Sequence, residues 1–324
     1  MKAFVKGNER SEVSALGWLF LACVVTHVAG ALAFGLLSDK GITVPVEVEL
    51  VISEFTILIP STIFILLGDY SFRNDLGFRR IRPGSFFMCI LLSALVTPVA
   101  SFVNVLSQLF VPNTMVQMSD TLLESSDAAL VFLGALYGPF CEELLFRGIL
   151  FNRYGRYTGP LRAGLISALY FALVHMNINQ AAYAFVLGVI FSVVNTAAGS
   201  MYPSLIIHVC INGMNLLLLI ISGRASDSLG DDMIIAAESA RTGDVIYVLI
   251  GITLVAAMIC TLIAIPCIAW MAKHEGRSEE LYDMIKKKRP KVRWLTIPAA
   301  LAVIMILFIM FGLPGVLSYI GKGA

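Results

Sequence analysis

Apolar runs of about 20 residues recur along the whole chain, each long enough to cross a bilayer core as a helix. Such a run leaves the backbone few choices. The hydrocarbon core offers no water, so the N–H and C=O groups have to be satisfied within the segment, as a helix does. The runs lie at roughly 14–36, 46–67, 85–111, 128–151, 161–177, 180–198, 203–222, 245–272 and 295–320. They predict an all-α polytopic transmembrane helical bundle of about 8–9 spans, a single integral membrane domain over 1–324. Composition excludes the soluble alternative. Charged residues make up 14% and hydrophobic residues 58% of the chain. A soluble domain carries about 25% charged residues.

Charge placement predicts orientation. Lys2, Lys6 and Arg10 precede the first run, and Arg73, Arg79, Arg80 and Arg82 follow the second. Arg153, Arg156 and Arg162 follow the fourth. Lys273, Arg277, Lys286, Lys287, Lys288, Arg289, Lys291 and Arg293 follow the eighth. With nine spans all four segments share one side, which the positive-inside rule assigns to the cytoplasm, so the N-terminus is expected inside and the C-terminus outside. Trp18, Trp270 and Trp294 fall near the inner ends as interfacial anchors. The first run is read as a retained helix, without a convincing cleavage site. Cys23, Cys89, Cys141, Cys210, Cys260 and Cys267 all lie in apolar runs and are read as small packing residues. The basic strip from Lys286 to Arg293 is expected to meet anionic headgroups, not nucleic acid.

Span four holds two adjacent carboxylates and an arginine in GALYGPFCEELLFRGILF. Each charge near a bilayer centre costs about 2.5–3.5 kcal/mol on insertion scales, so the triplet has to pair or face a polar cavity. Glu143 and Arg147 are i and i+4 with the acid first, the favourable order for a pair. Glu142 points about 100° away and is left as a candidate general base or acid. In span five Phe171 and His175 share a face, and in span seven His208 and Asn212 do the same. His27 and His274 are read as structural or surface groups. Counting 1.5 Å per residue puts Glu142 roughly 15 Å, His175 roughly 20 Å and His208 under about 10 Å from the inner ends of their spans. Meeting in one cavity open to the cytoplasmic side is the expectation.

The ordered patterns EExxxR (Glu142, Glu143, Arg147), FxxxH (Phe171, His175) and HxxxN (His208, Asn212) resemble the CPBP family over about 128–215. That family groups type II CAAX prenyl proteases, Abi proteins and bacteriocin-processing or immunity proteins. Phe185 and Gly188 resemble its lead-in to the last motif. The resemblance implies a protease core over 128–215, with Glu142 and His175 activating a water and His208 and Asn212 forming an oxyanion hole. Glu143, Arg147 and Phe171 would then support them. It also implies a peptide or membrane-associated protein substrate, lipidated or not, in contact with the bilayer.

Other readings use the same groups. Glu142, His175 and His208 are a zinc ligand set with an open position for water, although no HExxH occurs. An immunity protein would keep the fold without catalysis. An ion-coupled transporter also buries Glu, Arg and His, but the chain has no visible internal repeat.

Overall fold

The computed structural model describes residues 8–226, 244–286 and 294–312. Lys2, Lys6 and the stretch from Lys287 to Arg293, which entered the orientation argument, lie outside them.

The described residues are helical throughout their regular elements. The long helices are α1 (Glu9–Asp39), α2 (Val46–Gly68), α3 (Pro83–Ser107) and α4 (Asp127–Thr158). They continue as α5 (Pro160–Val174), α6 (Ile178–Ala198), α7 (Tyr202–Ser226) and α8 (Asp244–Glu275). A nine-residue helix, α9 (Ser278–Lys286), precedes α10 (Ile297–Leu307), which continues as a π turn to Gly312. Among the described residues seven helices are long and apolar enough to cross a membrane, and α5 and the α10 segment are shorter apolar helices. The protein is a polytopic helical bundle. Local sequence explains the helix starts. Pro83, Pro160 and Pro298 stand in first turns, where a missing N–H costs nothing. Asn8 and Asn177 cap α1 and α6 through side-chain oxygens that accept from the backbone N–H of Ser11 and Gln180.

Burial sorts the helices into inner and outer. Half of the most apolar stretch of α4 and of α6 is buried, against 11% in α8. The outer helices expose large apolar side chains such as Leu66, Leu262 and Ile304, as lipid-facing surfaces do. One core joins α1, α2, α5, α10 and the second half of α4 through Phe20, Leu145, Ile149 and Tyr170. A second joins α3, α6, α7 and α8 through Leu92, Phe191 and Ile207. Of the helices bearing the sequence motifs, α4 and α5 belong to the first core and α7 to the second.

Alternate connections gather at opposite ends. At one end Arg153 of α4 pairs with Glu12 of α1 and with Asp75 of the α2–α3 loop, and Arg156 joins Asp75. There also Met201 N–H donates to the Gly77 carbonyl, and Arg82 N–H donates to Glu275. At the other end Ser126 N–H donates to Glu47, and Thr114 hydrogen-bonds with Asn177 and Asn179. Two details differ from the sequence expectation. Part of the basic segment after α8 is a helix, with Met284 buried and Tyr282 and Ile285 exposed. Trp294 packs against Tyr170 at 6.1 Å between ring centroids, joining the core.

Candidate active site

The backbone of α4 sets the site. Between two π-helical stretches, Phe132–Tyr137 and Leu144–Phe151, lies one short α-helical segment, Gly138–Glu143, which carries both glutamates. The cause is local. Gly138 N–H bonds back five residues to the Leu133 carbonyl, and the next donor in that register belongs to Pro139, which has none. The Gly134 carbonyl, its partner in that register, instead accepts from Asn212 Nδ2 at 3.2 Å. Single π turns of this kind recur at functional sites.

His175 does not lie inside a helix as expected. α5 stops at Val174, His175 closes it, Met176 turns through φ 54 and Asn177 starts α6. A positive φ on a residue other than glycine is uncommon and carries strain. The turn places His175 at the end of α5 remote from Arg153, while Glu142 falls at the midpoint of α4. The i, i+4 relation to Phe171 survives, since His175 Nδ1 lies 2.7 Å from the Phe171 carbonyl oxygen. A carbonyl only accepts, so Nδ1 is the protonated nitrogen and Nε2 is left for the site.

Three helices bring their groups together around Glu142. His175 Nε2 lies 3.8 Å from Glu142 Oε1, and His208 Nε2 lies 3.5 Å from Glu142 Oε2. Both distances exceed an ordinary hydrogen bond. Glu142 stays 15% exposed and His175 18%, whereas Glu143 and Arg147 are fully buried. The two carboxylates thus sit in opposite environments one residue apart. Glu143 Oε1 accepts from Arg147 Nη1 at 2.9 Å and lies 3.1 Å from His208 Nδ1. Its Oε2 accepts from Ser204 Oγ at 2.5 Å. Arg147 is further held by aromatic faces, its Cζ 4.2 Å from the Phe171 centroid and 5.0 Å from that of Phe191. Gly188 makes the fit. A Cβ there would stand 2.8 Å from Ala168 and 3.1 Å from Arg147 Nη2.

The candidates Glu142, Glu143, Arg147, Phe171, His175 and His208 therefore form one connected group. Asn212 lies on the same face of α7 as His208 but is engaged by Gly134. Sequence reasoning missed Ser204 and Asn195. Asn195 Nδ2 donates to Ser204 Oγ at 2.8 Å, and Ser204 N–H donates to Asn195 Oδ1 at 2.9 Å. Ser204 continues the His208, Asn212 face one turn earlier, a signal that was present. His27 Nδ1 meets Thr56 Oγ1 at 3.1 Å, and His274 stacks on Trp270 at 4.6 Å.

The zinc reading was tested on the donor set. Both imidazoles turn Nε2 toward Glu142 and hold Nδ1 on a carbonyl or carboxylate, as metal-bound histidines also do. Among the described residues, however, no three His, Cys, Asp or Glu groups are gathered to hold a metal ion. The donor types suit zinc.

A helical membrane bundle with a partly exposed carboxylate between two imidazoles defines the class: a polytopic membrane protein with ionisable groups gathered between its helices. Residues 124–214 match the family model described as type II CAAX prenyl endopeptidase Rce1-like. The match over this segment supports a CPBP/CAAX family protease, a family that implies intramembrane protease activity. No curated protein and no solved structure matches the chain.

Proposed function

We propose that the protein is an intramembrane endopeptidase in which Glu142 and His175 activate a water. The observation that carries this reading is the Glu142 carboxylate standing 3.8 and 3.5 Å from two imidazole Nε2 atoms. The reading puts one water beside these groups, within hydrogen-bond reach of the carboxylate and an imidazole. It gives a proton to Glu142 while its oxygen attacks the peptide carbonyl carbon. The C–N bond then breaks, and Glu142 returns the proton to the departing nitrogen, leaving a carboxylic acid and an amine, which become a carboxylate and an ammonium by proton exchange.

The oxyanion would be met by His208 and Asn212. Nδ1 of His208 faces Glu143, so donation from Nε2 as well makes His208 a cation between two glutamates. Asn212 has two amide protons and gives one to Gly134, which leaves one for substrate. Glu143, held by Arg147 and Ser204, fixes the orientation of His208. The substrate is a peptide segment at or in the bilayer, with or without a lipid group. The N-terminus is assigned to the cytoplasm because the basic segments gather at one end of the bundle.

The test uses full-length protein in lipid nanodiscs with a fluorogenic peptide library. Wild type should cleave a subset, and Glu142→Gln should cleave none while its melting temperature holds. Bound metal is measured on the same samples. Stoichiometric zinc in wild type that is lost in His208→Ala would replace this mechanism with a metalloprotease one. Solute flux in proteoliposomes without any cleavage would make the protein a transporter.

A further inference from the structure

Glu54 of α2 takes no part in the chemistry above, yet it sits against it. A Cβ on Gly138 would meet its Oε1 at 3.3 Å, as it would the Leu133 carbonyl oxygen. Gly138 stands four residues before Glu142, so the Glu54 carboxylate lies about one helical turn from Glu142 along α4. It is within electrostatic reach of both Glu142 and Cys141. Its Oε2 is buried with no hydrogen-bond partner among the described residues. Glu143, Glu12 and Asp75 each pair with an arginine, whereas Glu54 forms no ion pair among the described residues.

A carboxylate inside the apolar region is costly without a donor, and an ionisable group kept there marks a binding or transfer site. A structural role does not account for Glu54, because no described group uses its Oε2. The glycine opposite keeps the space beside Oε1 open. We propose that Glu54 is a substrate subsite that takes the cationic side chain of a lysine or arginine within about two residues of the scissile bond. This rests on the peptidase reading of the Glu142 site. The register follows from geometry. One helical turn is about 5.4 Å, and an extended peptide advances about 3.3 Å per residue.

The experiment compares peptides identical except at that position, which holds lysine, norleucine or glutamate. Norleucine keeps the apolar stem and removes the charge. In wild type the lysine peptide should have a kcat/KM about tenfold or more above the norleucine peptide, as one charge-assisted hydrogen bond gives. The glutamate peptide should be poorest. In Glu54→Gln the lysine-to-norleucine ratio should fall to about one. Gly138→Ala, which presses on Oε1 from the other side, should also lower the ratio and provides a second variant if Glu54→Gln folds poorly. A wild-type ratio of one, or a ratio that persists in Glu54→Gln, overturns the proposal. So does an equal loss of kcat on all three peptides with the ratio intact, because Glu54 would then act on the chemistry. Affinities of the same labelled peptides for the Glu142→Gln variant separate this idea from the peptidase reading. A tenfold lysine preference in binding that Glu54→Gln erases, with no peptide cleaved by wild type, sinks hydrolysis and keeps the subsite. Failure of every peptide to bind sinks the subsite.

Discussion

Glu142 and Glu143 are chemically identical neighbours, and their surroundings divide their work. Glu143 accepts from Arg147 and Ser204 and faces His208, all in the buried interior. Converting it to glutamine leaves the Arg147 guanidinium buried without its counter-charge, and breaking such a pair costs about 3–5 kcal/mol. Glu143→Gln should therefore melt at a clearly lower temperature, whereas Glu142→Gln should lose cleavage and keep its melting temperature. Equal melting temperatures would sink this division. Asn212 has two candidate roles that mutation can separate. If it serves the oxyanion, Asn212→Ala should lower kcat by about 10²–10³ with little change in KM. If it only satisfies the Gly134 carbonyl, the loss should appear in stability, at about 1–3 kcal/mol, with kcat largely preserved.

At the scale of the helix, α4 is interrupted by its own sequence. Pro139 withdraws the donor that a five-residue register would give to Gly134, and α7 supplies the replacement. Pro139→Ala restores a backbone N–H to that position. The stability cost of Asn212→Ala should then shrink in the Pro139→Ala background, and a double-mutant cycle measures the coupling. A cost that is unchanged would show that the two residues are independent. The close approach of α6 to α5 makes a second prediction. Gly188→Ala forces a methyl to 2.8 Å from Ala168 and toward Arg147. Overpacking of this kind costs about 1–3 kcal/mol, so thermal unfolding should move down and Gly188→Leu should fold worse still.

For the molecule as a whole, the segregation of loops predicts sidedness. Asn74 and Ile285 are exposed at the end that gathers Arg153, and Met118 is exposed in the α3–α4 connection at the other. With the six native cysteines replaced, single cysteines at 74 and 285 should label from the same face of sealed vesicles and a cysteine at 118 only from the opposite face. Labelling of all three from one face would break the span order. The ionic cluster at the first end ties α1, the α2–α3 loop and α4 together through Arg153. Arg153→Leu leaves Glu12 buried without its counter-charge and Asp75 with Arg156 alone, and should destabilise the bundle by about 3–5 kcal/mol. Leucine at the exposed Arg80 should do far less.

The sequence by itself determined the helices and the pairings within them. Apolar runs of bilayer length force helical hydrogen bonding, and four-residue spacing aligned Glu143 with Arg147, Phe171 with His175 and His208 with Asn212. These are local relations, set by the rise and turn of one helix. Contacts between helices were outside that reach. No period in the chain says that Ser204 and Asn195 hold Glu143, that Asn212 answers the donor missing at Pro139, or that Glu54 of a distant span comes to rest beside Gly138. The place of His175 was misread for a related reason. Hydropathy ran past Val174, but a left-handed Met176 and a capping Asn177 ended the helix there. Only packing decides these features, because each depends on the rotation and depth of one helix against another, and lipid-facing and protein-facing positions are equally apolar.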